Sequence, residues 1–413
     1  MNFSFYTLWA SYFISKIGDW LFLIALPLIV YDLTGSAFYM ATLYGVEFLP
    51  WLLFSLFGGI LADNLNKKFL LITGNTLSAG FVLFLIYLLK APELNIPLLY
   101  VAVFLLASIN PLIHPAFQSI VPLVVKREKI VNANSALQLV ENSLNLIGPV
   151  LGGGIVAFLG GTNALLIDAS SFAIAALLMV FVRLLVPDSS QTNQSEIVWT
   201  KRIGRDIVEG FKYTGTNKVI LFGAMLFFFT NLGIHLFQSN FMFYLKDTLE
   251  LSANLIGITI GLSGIGPILG AFAAPYINKK MNSGRIILWC TTLAGASMYL
   301  LIISETFWQV AVSQSLIMFF GNINVITYFS LRQQIVPSHI LGRVISVTRM
   351  ISYASIPLGA FLGGYAIKLG LSIYLIILIG ATIRMGIGLI GFLTPLGSKD
   401  TINNAKETIE AIN

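Results

Sequence analysis

Gly59-Ile60-Leu61-Ala62 returns as Gly270-Ala271-Phe272-Ala273, Gln118-Ser119-Ile120-Val121-Pro122 as Gln333-Gln334-Ile335-Val336-Pro337, and Gly152-Gly153 as Gly363-Gly364. The three offsets are 211, 215 and 211 in a chain of 413 residues. A spacing of about half the chain implies two similar halves. In a chain this apolar, such halves are membrane bundles built around one pathway, the plan of a secondary transporter.

Composition points the same way: 57% of residues are hydrophobic, 10% are charged, and the mean hydropathy is +0.86. A soluble globule carries about 25% charged residues. About 20 apolar residues cross the hydrocarbon as a helix. Twelve such stretches are legible, at 5–31, 38–62, 68–89, 97–122, 134–159, 163–186, 218–246, 253–279, 285–304, 308–335, 342–369 and 371–395. Open strands cannot span, and these runs are far longer than the ten-residue alternating strands of an outer-membrane barrel. The expected fold is therefore an all-α membrane protein, with twelve transmembrane helices in two parallel-repeat six-helix bundles at 1–186 and 218–395. A linker at 187–217 joins them and a tail at 396–413 follows. The first run lacks an A-x-A-like cleavage site and is too long for a signal sequence, so it is expected to remain as the first helix. The one cysteine, Cys290, allows no internal disulfide and no cysteine-based metal site.

Lys and Arg collect in short cytoplasmic loops. With both termini inside, Lys90, Lys246 and Lys368 fall outside and Lys16 and Arg384 fall within helices, so all but these five of the 24 basic residues lie on the cytoplasmic side. The net charge of +6 is thus a topology signal. It forms no single stripe for nucleic acid. The polar stretch from Pro187 to Asn217 contains Lys201, Arg202, Arg205, Asp206, Glu209 and Lys212. Its second part reads either as a short surface helix or as a solvated tether.

Between the second and third helices stands Gly58-Gly59-Ile60-Leu61-Ala62-Asp63-Asn64-Leu65-Asn66-Lys67-Lys68. Glycine, aspartate and a basic pair in this loop resemble the signature of the major facilitator superfamily. The resemblance implies a conformational latch made of Asp63, Lys67 and Lys68, with Arg332 and Arg343 at the matching place in the second half. Small residues permit close helix approach, an aspartate can cap a helix N-terminus, and cations meet acidic groups or lipid phosphates. Asn64 stands where the family usually has Arg, and Asn66 where it usually has Gly. Asn tolerates the left-handed conformation, so the turn is expected to survive.

In the fifth helix, Gly148-Pro149-Val150-Leu151-Gly152-Gly153 resembles the GPxxGG signature of the superfamily's exporters. Its residues read either as that signature or as a plain packing kink, because proline bends a helix and Gly148/Gly152 form a GxxxG face. Matching pairs occur at Gly266/Gly270 in the eighth helix and Gly359/Gly363 in the eleventh, and the fifth and eighth helices are expected to cross through these faces. Arg332-Gln333-Gln334-Ile335-Val336-Pro337, Leu341-Gly342-Arg343-Val344 and Ile167-Asp168-Ala169-Ser170-Ser171-Phe172 are similar to the branch containing macrolide-efflux and enterobactin-type siderophore exporters. Gly261-x-x-Gly264-x-Gly266 lies inside an apolar helix with no strand before it, which excludes a dinucleotide loop. The chain has no phosphate-binding P-loop motif.

In this superfamily the first, fourth, seventh and tenth helices line the central cavity. All four carry polar residues at steps of three or four, hence on one face: Ser11, Ser15 and Asp19; Asn110, His114 and Gln118; Asn231, His235 and Gln238; Asn324, Tyr328 and Arg332. Exposure to lipid is costly, so these groups face a wet cavity or bond to neighbouring helices. Arg332 and Gln118, near the cytoplasmic ends, read equally as gate or latch residues. Acidic residues inside helices are candidates for proton coupling, since their ionised form is expensive there. Asp19 lies roughly 18 Å and Glu47 roughly 14 Å from the outer ends of their helices, and Glu141 roughly 12 Å from the cytoplasmic end of the fifth. Asp19 reads alternatively as a structural partner of Lys16 one turn away. Asp168, near the outer surface, reads as structural. Arg384 either snorkels or pairs inward from a helix that in this fold usually faces lipid.

The function expected from the sequence is secondary active transport, not enzymatic catalysis: proton-coupled efflux of an amphipathic, drug-like compound such as an antibiotic from a bacterial inner membrane. Abundant Phe and Tyr, 31 and 15 residues, suit a greasy cargo. A dedicated siderophore or natural-product exporter is the alternative, and a small-nutrient importer is a further one. The expected partners are a small-molecule substrate, protons and membrane lipid, with no nucleic acid, no cofactor and no metal. The chain is expected to act as a monomer.

Overall fold

The computed structural model describes residues 2–126, 129–185, 208–337 and 340–398. Span 1 is Phe3–Thr34, span 2 Ala37–Asn64, span 3 Lys67–Leu89, span 4 Ile96–Val124, span 5 Ile130–Leu159 and span 6 Gly161–Phe181. Span 7 is Lys218–Gln238, span 8 is Ala253–Ser263 with Ile265–Asn278, and span 9 is Ser283–Met298. Spans 10, 11 and 12 are Phe307–Ile335, Leu341–Lys368 and Ile373–Gly391. Among the described residues eleven helices are long and apolar enough to cross a membrane, and span 5, counted across its bend, makes twelve.

Two prolines account for the irregular spans. Span 5 bends by 51° between Leu139–Asn145 and Ile147–Leu159. Pro149 cannot donate to the carbonyl of Asn145 and its ring crowds that carbonyl, which opens the helix one turn upstream. Pro267 acts likewise on Ser263, where span 8 breaks at Gly264.

The repeat is visible in the pairing of helices. In the first half span 1 packs on spans 5 and 6, span 2 on span 4, and span 3 on spans 4 and 6. In the second half span 7 packs on spans 11 and 12, span 8 on span 10, and span 9 on spans 10 and 12. Every principal pairing recurs in the same chain order. Glycines set the approach at equivalent crossings. A Cβ on Gly152 would stand 3.0 Å from the Trp20 carbonyl oxygen of span 1, and one on Gly359 3.0 Å from the Leu232 carbonyl oxygen of span 7. Gly148 abuts the Trp20 ring and Gly363 the Leu236 backbone. Gly266 and Gly270 abut Ser315 and Phe319 of span 10.

These contacts correct the expectation that the GxxxG faces of spans 5 and 8 meet each other. Both faces are taken up by spans 1 and 10. Spans 5 and 8 do cross, but at Gly153 and Gly257: a Cβ on Gly153 would lie 2.7 Å from the Gly257 Cα, and one on Gly257 2.5 Å from the Pro149 carbonyl oxygen. By its contacts the chain divides into two compact units, 1–193 with 245–261 and 194–244 with 262–413. The Gly153–Gly257 crossing and the Lys246–Asp32 ion pair place 245–261 with the first unit.

The loop after span 2 also differs from expectation. Asn66 has φ −57°, outside the left-handed region, and caps span 3 by accepting a hydrogen bond from the Phe69 N–H at 3.0 Å. An asparagine there supplies an N-cap that glycine would lack. Asp63 belongs to the last turn of span 2 and its side chain lies outside the described set. Of the linker, 186–207 lie outside the described residues and 208–216 form a short helix. That helix docks on the start of span 11: Arg343 Nη1 donates to Glu209 Oε2 at 2.6 Å, and a Cβ on Gly210 would meet the Arg343 carbonyl oxygen at 3.0 Å.

Candidate functional site

The first unit encloses a cavity of about 300 Å³. Span 1 contributes Tyr12, Ser15, Lys16 and Asp19, span 2 Glu47 and Trp51, span 3 Asn75 and Ser78, span 4 Asn110 and His114, span 5 Glu141, and span 6 Asp168. Phe22, Phe48, Phe117 and Phe172 complete an apolar wall. Residues 12, 15, 16 and 19 fall on one face of span 1 because they step by three and four. A second space of about 320 Å³ shares Lys16, Asp19, Asn110 and Glu141 and adds Trp20, Leu144 and Asn145.

Four carboxylates thus surround one lysine. Lys16 Nζ donates to Asp19 Oδ2 at 2.8 Å. The Tyr12 hydroxyl donates to Glu141 Oε1 at 2.7 Å, with its ring stacked on Phe117 at 4.5 Å. Trp51 meets the His114 ring edge-on at 5.8 Å. Asp168 is fully buried against Gly18, with both carboxylate oxygens unpartnered among the described residues, and within electrostatic reach of Asp19. A surplus of carboxylates in a low-dielectric enclosure draws protons and cations far more strongly than the same groups in water. The aromatic walls add apolar area and ring faces that attract cations.

The structure therefore brings Ser15, Asp19, Glu47, Asn110, His114 and Glu141 to one space. The five cavity candidates of the second half are placed differently. Asn324 is 2% exposed and donates to Thr291 Oγ1 of span 9 at 2.7 Å. Tyr328 is 3% exposed in the apolar core, stacked on Phe227 at 4.6 Å. Both are corrections to the cavity reading, since neither can reach a ligand without repacking. Asn231 donates to the Ser352 carbonyl at 3.0 Å, and Gln238 accepts from Gln314 at 3.3 Å. His235 is half-buried where Gly359 meets span 7. Interhelical bonding was the competing reading of these stripes, and in the second unit it describes Asn231, Gln238 and Asn324.

The candidate latch residues have local partners. Lys68 Nζ donates to the Val180 carbonyl oxygen at 2.7 Å, at the end of span 6. Arg332 is buried, its guanidinium 4.4 Å from the Tyr328 ring centre and 4.8 Å from that of Phe329, with Nη1 donating to Thr348 at 2.7 Å. Arg343 pairs with Glu209. The roles of Asp168 and Tyr12 in the cavity wall escaped sequence reasoning. A carboxylate in the middle of an apolar run flanked by Ala169 and Ser171 was the available signal for the first. The second becomes legible only once span 5 is placed beside span 1.

A family model described as "Transmembrane secretion effector" matches residues 2–410. The chain is 26% identical over 358 residues to the multidrug efflux pump Tap of Mycolicibacterium fortuitum, covering 84% of this chain and 85% of that protein. It is 24% identical over 386 residues to macrolide efflux protein A of Streptococcus pyogenes, covering 89% and 90%. Its backbone superposes on the crystal structure of the nucleoside transporter NupG with a TM-score of 0.77 at 16% identity, over 94% of this chain and 99% of that one.

Proposed function

We propose, from the premise that this chain belongs to the transmembrane secretion effector family of the major facilitator superfamily, that it exports an amphipathic, drug-like compound in exchange for protons. The observation that carries the reading is the cavity of the first unit, where Asp19, Glu47, Glu141 and Asp168 share an aromatic-walled space with Lys16. Acidic groups that far outnumber their countercharge bind a proton or an organic cation, and one excludes the other by charge alone. Such competition is the minimum requirement of an antiporter. Phe22, Phe48, Trp51 and Phe172 offer apolar area for the rest of a greasy cargo. The names of the relatives, a multidrug pump and a macrolide pump, support a cargo of this class.

In this reading Asp19 carries the proton, with Glu47 and Glu141 supporting it, in a bacterial inner membrane with both termini cytoplasmic. Everted membrane vesicles test it with ethidium and a macrolide as probes. An imposed gradient, acid inside the vesicle, should drive either probe inward, and a protonophore should abolish the movement. Flux indifferent to the gradient, or movement with the opposite sign, overturns the reading and favours a uniporter or an importer.

A further inference from the structure

We propose that the second unit contains a carboxylate-binding site centred on Arg384. This arginine lies mid-way along span 12 and is 3% exposed, so it neither snorkels nor faces lipid. Its Nε and Nη1 are buried with no hydrogen-bond partner among the described residues. A guanidinium remains charged in a protein, and an unpaired buried charge is strongly destabilising. A countercharge is required, and the second unit has none to offer. From Phe211 to Tyr244 and from Leu262 to Ser398 the sequence contains a single acidic residue, Glu305, which is exposed ahead of span 10.

The surroundings of Arg384 are built of small and polar groups. Gly321 of span 10 leaves its side open, since a Cβ there would stand 3.5 Å from Nη2. Asn324, one turn further along the same face, keeps its Oδ1 unpartnered. Thr230 of span 7 keeps its Oγ1 unpartnered one turn before Gly233, which abuts the Arg384 backbone. His235 lies within electrostatic reach of the guanidinium. A planar fork with two free nitrogens matches the two oxygens of a carboxylate. One unaccompanied positive charge suits a monovalent group better than a phosphate. The contrast with the first unit, where carboxylates outnumber cations, makes this the place for the acidic end of a ligand.

The source is either a free small carboxylate or a carboxylate borne by the cargo, and only the second rests on the export reading. The test is thermal unfolding of the full-length protein in detergent, with sodium isethionate replaced at constant ionic strength by sodium acetate, sodium benzoate or sodium chloride. Acetate or benzoate should raise the melting temperature saturably. The response should vanish in Arg384→Gln and shift at least tenfold in half-saturating concentration in Arg384→Lys. Gly321→Val, which retains the charge but fills the space beside Nη2, should weaken it similarly and decides the matter if Arg384→Gln does not fold. Benzoate saturating well below acetate assigns the carboxylate to an amphipathic cargo, and equal responses assign it to a free small anion. No saturable response, a response to chloride alone, or one that survives both Arg384→Gln and Gly321→Val overturns the site. Binding is read without transport, so loss of proton-driven probe flux with the benzoate response intact would overturn export and leave the site standing.

Discussion

Lys16 and Asp19 are joined at 2.8 Å one turn apart on span 1, in the wall shared by both spaces of the first unit. The pair makes the lysine and a proton rivals for one carboxylate. Under the proposed antiport, Asp19→Asn should lower uphill probe transport at least tenfold while downhill efflux persists, because the shape is kept and the titratable step is lost. Lys16→Met should retain gradient-driven transport but shift its pH profile to higher pH, since a neighbouring cation favours the ionised acid. Full uphill transport by Asp19→Asn at normal protein level would transfer the role to Glu47 or Glu141.

Tyr12 donates to Glu141 at 2.7 Å across spans 1 and 5. A hydrogen bond to a charged group contributes about 1.5–3 kcal/mol. Tyr12→Phe and Glu141→Gln should therefore be non-additive in transport rate and melting temperature, with the double variant little worse than the more damaging single one. Additive effects would show that the bond is not made in the membrane.

Gly153 and Gly257 cross backbone to backbone, whereas a Cβ on Gly154 would have nothing within 4 Å of it. Gly153→Val and Gly257→Val should each destabilise by about 1–3 kcal/mol through overpacking, read as a lower melting temperature in detergent. Gly154→Ala is the matched control and should match the parent within about 0.5 kcal/mol. A Gly153→Val protein as stable as the parent would dissolve the crossing.

Glu209 and Arg343 pair at 2.6 Å with side chains 44% and 29% exposed. Water screens such a pair, so Glu209→Gln should cost no more than about 1 kcal/mol and less at high salt. Exchanging the two charges should restore most of the loss. A larger, salt-independent cost would mean that the short helix at 208–216 relies on contacts beyond this pair.

Asp63 ends span 2 just ahead of the Asn66 cap. If it serves a conformational latch, Asp63→Asn should slow probe turnover several-fold with little change in probe affinity. Asn66→Ala should instead lower stability by about 1 kcal/mol through loss of the cap. Unchanged turnover in Asp63→Asn with normal expression would leave the loop as a topology anchor.

Much of this architecture is determined by the sequence alone. Hydrocarbon forces every backbone group to bond within its own helix, so apolar length reports the spans directly, and the recurrence near 211 residues reports the two halves. Pro149 and Pro267 announce the bend in span 5 and the break in span 8, because a missing donor is a local fact. Only the tertiary structure decides which partner a side chain takes. Polar stripes on spans 1, 4, 7 and 10 look alike in sequence, yet Asn110 reaches a cavity while Asn324 bonds to Thr291. The GxxxG faces of spans 5 and 8 look made for each other, yet they meet Trp20 and Ser315. Arg384, on a helix expected to face lipid, is turned inward over Gly321. Helix formation is settled by neighbours a few residues apart, whereas burial and pairing depend on the rotation of each helix against others far away in the chain, and composition carries no record of that rotation.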